Sequence, residues 1–321
     1  MRFRTEIPVV PLSFPITHRE KILLMGSCFT EHIGEKLETS GFQTDINPFG
    51  VLYNPLSLAS GLQDLIKGKV YSLADIFEHQ GLYASFYHHS RFSAPTKEEC
   101  LEQINQRREE SSLFLQQSSV LVVTFGTAFV YRLKETGNVV SNCHKLPADC
   151  FERKRLSVED IVLAWRDLLR DLFAYNPRLS VLFTVSPIRH WKDGANGNQL
   201  SKASLLLAIE QIVELFTAGN NANSVQYFPS YELVLDDLRD YRYYAEDMLH
   251  PSPVAVNYIW EKFSTACFSK ETQQAIIEYE KIDQALRHRP FHPESETYQV
   301  FIREARERLE SFKKRFSVQN T

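Results

Sequence analysis

Two short stretches of this chain hold side chains that could carry covalent chemistry together. Gly26-Ser27-Cys28 places a hydroxyl and a thiol directly after a glycine. Asp247-Met248-Leu249-His250 places a carboxylate three residues before an imidazole. A carboxylate at that spacing can hold one ring nitrogen within a single turn while the other faces a nucleophile. A nucleophile at the mouth of a helix gains from unpaired N–H groups and a partial positive charge, which favour a thiolate or an oxyanion. Each stretch also has a plainer reading. The first could be an ordinary βα turn that needs its glycine, and the second a capping aspartate beside a surface histidine.

The elements around these residues decide whether they can meet. Ile22–Met25 is a short apolar run that reads as a buried strand, and Phe29, Ile33 and Leu37 follow at helical spacing. Further strands are predicted at 41–46, 119–124, 179–185 and 225–228, with helices at 56–66, 96–116, 157–173, 202–217 and 254–268. Strands alternating with helices predict a mostly parallel sheet covered on both faces. Functional loops in such sheets lie at the carboxyl ends of the strands. The loops after these strands begin at Gly26, Asn47, Gly126, Ser186 and Pro229, so they are expected to converge. Two stretches interrupt the pattern and read as insertions: an aromatic one at about 70–93, and 126–155, read as a hairpin followed by a loop. Pro8, Pro11 and Pro15 make residues 1–20 an irregular arm. Residues 269–321 are charged and helical, broken near 290–295, and are expected to pack on a 1–268 domain.

Composition narrows the function classes. The chain has 321 residues, 43% hydrophobic and 24% charged, ordinary for a globular protein with a sizeable core. A net charge of −4 gives no electrostatic case for nucleic acid. Five cysteines without a C-x-x-C pair argue for reduced thiols. No run reads as a signal peptide or a membrane span, so a cytoplasmic protein with no membrane contact is expected. His88-His89 and Cys143-His144 lack metal-ligand spacing, and no G-x-G-x-x-G or phosphate loop is present. Neither metal nor cofactor is expected.

An early Gly26-Ser27-Cys28 paired with a late Asp247/His250 resembles the SGNH hydrolase superfamily, whose G-D-S turn follows the first strand and whose D-x-x-H lies near the domain's end. More narrowly, GSCFT at 26–30 is similar to the signature of the GSCFA family within it. TFGTAFVY (124–131), NCHK (142–145), SPIRH (186–190), LRDYRYYAEDMLHPS (238–252) and NYIWEKF (257–263) also resemble that family. The resemblance implies a flavodoxin-like three-layer α/β sandwich and an ester or acyl hydrolase. The superfamily's G-D-S falls without gaps on Gly26-Ser27-Cys28, which puts Cys28 at the nucleophile position; a shift of one residue restores Ser27 and breaks the glycine match. Cys28 is preferred and Ser27 stays open. The implied oxyanion hole uses the nucleophile's N–H, a glycine (here Gly50) and an asparagine, whose place Ala128 takes. Thr127, Asn142 or His144 could supply the missing donor, with the 126–155 insertion closing over the pocket, and His190 and Arg189 could line it. Two functions follow. One is an esterase acting on a small ester or an acylated glycan. The other is a catalytically weak module that binds a carbohydrate or acyl ligand in the same pocket.

Overall fold

A computed structural model describes residues 5–14, 16–217 and 223–316. Its centre is a five-stranded parallel sheet: β1 (Lys21–Gly26), β2 (Gln43–Ile46), β3 (Val120–Phe125), β4 (Ser180–Val185) and β5 (Val225–Phe228). The strand order is β5-β4-β3-β1-β2, the flavodoxin-like order with its switch point between β1 and β3. β1 and β3 run side by side with Gly26 opposite Thr124, so their carboxyl ends finish level.

Alternation along each strand divides the core into two layers. Leu23 and Met25 of β1, with Leu121, Val123 and Phe125 of β3, face α2 (Pro55–Lys67), α3 (Lys97–Gln117), α4 (Val158–Tyr175) and α5 (Gly194–Thr217). Ile22, Leu24, Val120 and Val122 face α1 (Cys28–Thr39) and α6 (Pro253–Cys267). These are the predicted sheet and helices, with one difference. α5 begins at Gly194, whereas the Gly- and Asn-rich text to Asn198 reads as loop. Tertiary contacts override the weak local preference there: buried Asn198 accepts from the His190 N–H at 3.0 Å through Oδ1, and Ser201 Oγ accepts from the Ala128 N–H at 2.8 Å.

Both insertions fold into small antiparallel sheets. Phe77–His79 pairs with Leu82–Ala84. Phe129–Leu133 pairs with Val139–Val140 and also with Phe151–Arg155, one strand more than the hairpin the sequence suggests. The C-terminal helices α7 (Lys270–Arg287) and α8 (Glu296–Phe316) pack on each other through Ala275, Ile282 and Phe312. His18 lies stacked on Phe42 at 4.1 Å and meets the Phe312 ring edge-on at 5.2 Å, which ties the last helix to the start of the chain. No described helix is long and apolar enough to cross a membrane.

The end of β1 is packed too closely for a side chain. A Cβ on Gly26 would lie 2.5 Å from the Thr124 carbonyl oxygen and 2.5 Å from Thr30 Oγ1. Gly26→Ala is therefore expected to lower stability by about 1–3 kcal/mol, read as a fall in denaturant midpoint at unchanged slope. An unchanged midpoint would contradict this packing.

Candidate active site

Strand β1 ends at Gly26, Ser27 takes the N-cap position of the following helix without a side-chain capping bond, and Cys28 is its first residue. The turn is held by one side chain and one backbone N–H from neighbouring loops. The Gly26 N–H donates to Asn47 Oδ1 at 2.9 Å, and the Leu52 N–H donates to the Gly26 carbonyl at 3.0 Å. Ser27 and Cys28 are thereby turned apart. Ser27 is 1% exposed, and its hydroxyl finds no hydrogen-bond partner among the described residues. Cys28 faces the outside of the turn, where its Sγ lies 3.7 Å from His250 Nε2. Burial pushes the Cys28 thiol up, and the backbone N–H groups of Cys28 and Phe29 directed at the sulfur only partly oppose it. The resting group is a thiol, not the thiolate expected of a helix N-terminus, because desolvation outweighs the few dipoles there.

His250 sits on a closed loop. The Ala245 N–H donates to the His250 carbonyl at 2.7 Å, and the Ser252 N–H donates to the Tyr243 carbonyl at 2.8 Å. Between them Met248 adopts φ +59° and turns the chain back. Asp247 Oδ1 accepts from the Leu249 and His250 N–H groups at 2.9 Å each, and Oδ2 lies 2.5 Å from His250 Nδ1. These bonds, led by that from the His250 N–H, pull the Asp247 carboxyl down to about 2, so it is ionised throughout the physiological range. An ionised carboxylate on Nδ1 orients the ring with Nε2 toward the sulfur. The Arg189 guanidinium donates to the Met248 carbonyl and braces the loop, lying among the rings of Trp191, Tyr241 and Tyr244.

The remaining predicted residues fall into two groups. Gly50 takes φ +77°, its N–H donates to the Asn47 carbonyl at 2.8 Å, and a Cβ there would meet His89 Cβ at 2.2 Å. Its N–H is spent on the turn. Thr127 Oγ1 lies 3.1 Å from Ser201 Oγ, Asn142 Oδ1 accepts from the His144 N–H at 2.9 Å, and His144 Nε2 lies 2.8 Å from the Ser85 carbonyl. These three line the cleft but bond to their own surroundings, not to the sulfur. His190 differs. Its Nε2 is buried with no hydrogen-bond partner among the described residues, and it lies 3.3 Å from the point where a Cβ on Gly126 would stand, a point 3.4 Å from Ser27 Cβ. Burial, helped by the charges of Lys202 and Arg153, pushes the His190 imidazole down to about 3, so the ring is neutral.

One residue escaped the sequence reading. Lys202, in the first turns of α5, is 1% exposed and donates from Nζ to the carbonyls of Gly126 at 2.7 Å and Ser186 at 2.6 Å. It closes the carboxyl ends of β3 and β4 beneath the site. Burial pushes its ammonium down to about 7. A lysine beside text that reads as loop is ordinarily solvated. Its only sequence signal was its place after a strand's end.

Cys28, His190 and His250 open on one cleft of about 780 Å³, walled by both insertions. Among the described residues no cluster of His, Cys, Asp or Glu is placed to hold a metal ion. The GSCFA family profile matches residues 21–263, and the profile of the GSCFA C-terminal domain matches 279–321. The chain belongs to the GSCFA family. The GSCFA core thus contains the sheet, Cys28 and the Asp247/His250 loop, and the second match covers most of the helical tail. Comparison with solved structures finds weak likenesses. A carbohydrate esterase family 3 protein from Talaromyces cellulolyticus is 10% identical (81% of this chain, 99% of that one, TM-score 0.36). A putative platelet activating factor from Streptococcus pneumonia is 10% identical (77% and 83%, TM-score 0.40). An acetyl xylan esterase from Butyrivibrio proteoclasticus is 14% identical (81% and 66%, TM-score 0.37). At these identities and scores the likenesses bear on neither activity nor substrate. No curated protein matched the chain.

Lys202 gives the site a pH signature. In the folded chain it loses its proton near pH 7, and in the unfolded chain near the ordinary 10.5. Between those values the unfolded state holds more protons, so stability rises with pH. Relative to Lys202→Met, the wild type should gain up to about 1.4 kcal/mol per pH unit across that interval, measured by denaturant titration of both proteins. A difference that stays constant with pH would contradict the burial described here.

Proposed function

We propose that the protein is a thiol-dependent esterase in which Cys28 attacks the ester carbonyl. The reading rests on one observation: Cys28 Sγ, His250 Nε2, His250 Nδ1 and Asp247 Oδ2 form a continuous chain, with gaps of 3.7 Å and 2.5 Å. His250 takes the thiol proton as the S–C bond forms, which suits a sulfur that rests as a thiol. Asp247 holds the ring and stabilises the imidazolium. The C–O bond then breaks, the alcohol leaves with the proton from His250, and a thioester remains on Cys28. Water attacks that thioester with His250 again as base, releasing the acid and restoring the thiol.

The oxyanion needs donors where Ala128 offers none. The Cys28 N–H is one. We assign the second to His190, whose buried Nε2 has no partner among the described residues and whose ring burial keeps neutral. A neutral imidazole carrying its proton on Nε2 donates without adding a charge that would repel His250. Tyr53, Phe129, Tyr131 and Trp191 line the same cleft and offer faces for a sugar ring, so an O-acylated carbohydrate is the substrate class we favour.

The alternative, a binding module on the same fold, is favoured by Ala128 and by the commitment of Thr127, Asn142 and His144 to bonds within the scaffold. Turnover of sugar and nitrophenyl esters of graded acyl length separates the two. Under the esterase reading Cys28→Ala and His250→Ala reduce kcat/KM to background, whereas Ser27→Ala stays within roughly tenfold of wild type. His190→Ala should lower kcat by about 10²–10³ with little change in KM, and His190→Gln should recover part of it. Full activity in Cys28→Ala with loss in Ser27→Ala would move the nucleophile to Ser27. Saturable sugar binding without turnover of any ester would leave the binding module.

A further inference from the structure

The chain carries a net charge of −4, yet the walls of its cleft reverse that sign. Lys145, Arg153, Arg189 and Lys192 line the cleft, and Asp193 is the one carboxylate among its lining residues. Asp193 is already paired with Arg153, whose guanidinium also lies 4.0 Å over the Phe129 ring. Asp247 is held by His250, and Glu31, near Cys28, lies 3.8 Å from Arg91. Among the described residues no carboxylate is in ion-pair range of Lys145, Arg189 or Lys192. Lys192 donates from Nζ to the Tyr131 hydroxyl at 2.7 Å, which fixes its ammonium at the cleft wall. Lys145 stands on the turn closed by the Leu146 N–H to the Cys143 carbonyl, with φ +60°. Burial holds His144 and His190 toward their neutral forms, so these two rings add little to that positive charge.

A neutral acylated sugar would leave Lys145, Arg189 and Lys192 facing its ring without a counter-charge. From the geometry we infer that the substrate is anionic: its ester sits at Cys28 while a carboxylate or other acidic group on the same molecule is held by Lys192 and Lys145. Aromatic faces beside cations suit a charged sugar, because the ring stacks while the charge is paired. A positively lined concave site also concentrates anions near the nucleophile, an effect that falls with ionic strength. The inference rests on the proposed esterase reading for the reaction, and on the cleft alone for the binding.

Matched esters test it on the intact 321-residue chain. Acetylated glucuronate and acetylated glucose differ in one carboxylate on the sugar, and succinylated and acetylated glucose differ in one carboxylate on the acyl group. At least one charged ester should exceed its neutral partner in kcat/KM by roughly tenfold or more at low salt, with the preference shrinking as salt is raised. The arm that shows the preference tells where the anion lies. Lys192→Gln should lower kcat/KM for the charged ester several-fold more than for the neutral one. Equal kcat/KM within both pairs, or a preference unmoved by both salt and Lys192→Gln, would overturn the inference. Calorimetry with Cys28→Ala separates this from the chemistry. If no ester is turned over, the esterase reading falls while tighter binding of glucuronate than glucose still supports an anionic ligand; equal binding of the two would overturn it.

Discussion

A single ammonium buried at the carboxyl edge of the sheet holds the floor of the site together. Lys202 donates to the carbonyls of Gly126 and Ser186, the residues that leave β3 and β4. Both carbonyls point off the end of the sheet, where no further strand residue could satisfy them, and an unpaired buried carbonyl is costly. The ammonium answers both at once, but its own desolvation costs several kcal/mol unless it sheds its proton. The compromise is a group whose proton affinity is lowered to near neutrality. Other loops are stitched to the same edge. The Tyr53 carbonyl accepts from the Gly126 and Thr127 N–H groups at 2.8 and 2.9 Å, and Ser230 Oγ donates to the Val185 carbonyl at 2.7 Å. His190 stands on this floor with Gly126 beneath it, where a larger residue would meet its ring.

The two halves of the site differ in how they are held. Cys28 is fixed from below by a close-packed strand end and is partly buried, which suppresses its ionisation. Asp247 and His250 are held from outside, with side chains 45% and 43% exposed, on a loop braced by its own hydrogen bonds and by Arg189. An exposed carboxylate keeps its charge cheaply, and a partly buried thiol gives up its proton only when a base is present. That division fits a site in which ionisation of the sulfur is coupled to attack, not stored beforehand.

The sequence carried the parts of this arrangement that local pattern can carry. Apolar runs of strand length alternating with amphipathic helices predict the sheet and both covering layers, because burial on two faces leaves that signature. The Asp247/His250 spacing is legible because it lies within one turn, where chain geometry alone brings the groups together. Residues whose roles depend on distant partners were not legible. Asn142 and His144 look free in the text, yet His144 turns to the Ser85 carbonyl of the other insertion. Gly50 is in place, but its N–H closes a turn with Asn47. Lys202 lay beside text that reads as loop, where the structure has helix with Asn198 and Ser201 bonded to distant backbone N–H groups. Which of Ser27 and Cys28 faces the imidazole depends on one residue of helix entry, which buries the Ser27 side chain and brings Cys28 Sγ to His250.

The central claim is that an acyl group passes through Cys28. Rapid quenching of the wild-type protein with a nitrophenyl acetate, followed by mass spectrometry of the peptide that contains Ser27 and Cys28, tests it directly. The account predicts one acetyl group on that peptide within the first turnover, cleaved by neutral hydroxylamine as a thioester is and lost in Cys28→Ala. An acetyl group that resists neutral hydroxylamine and persists in Cys28→Ala, or ester turnover with no acetylated peptide at any time, would contradict it.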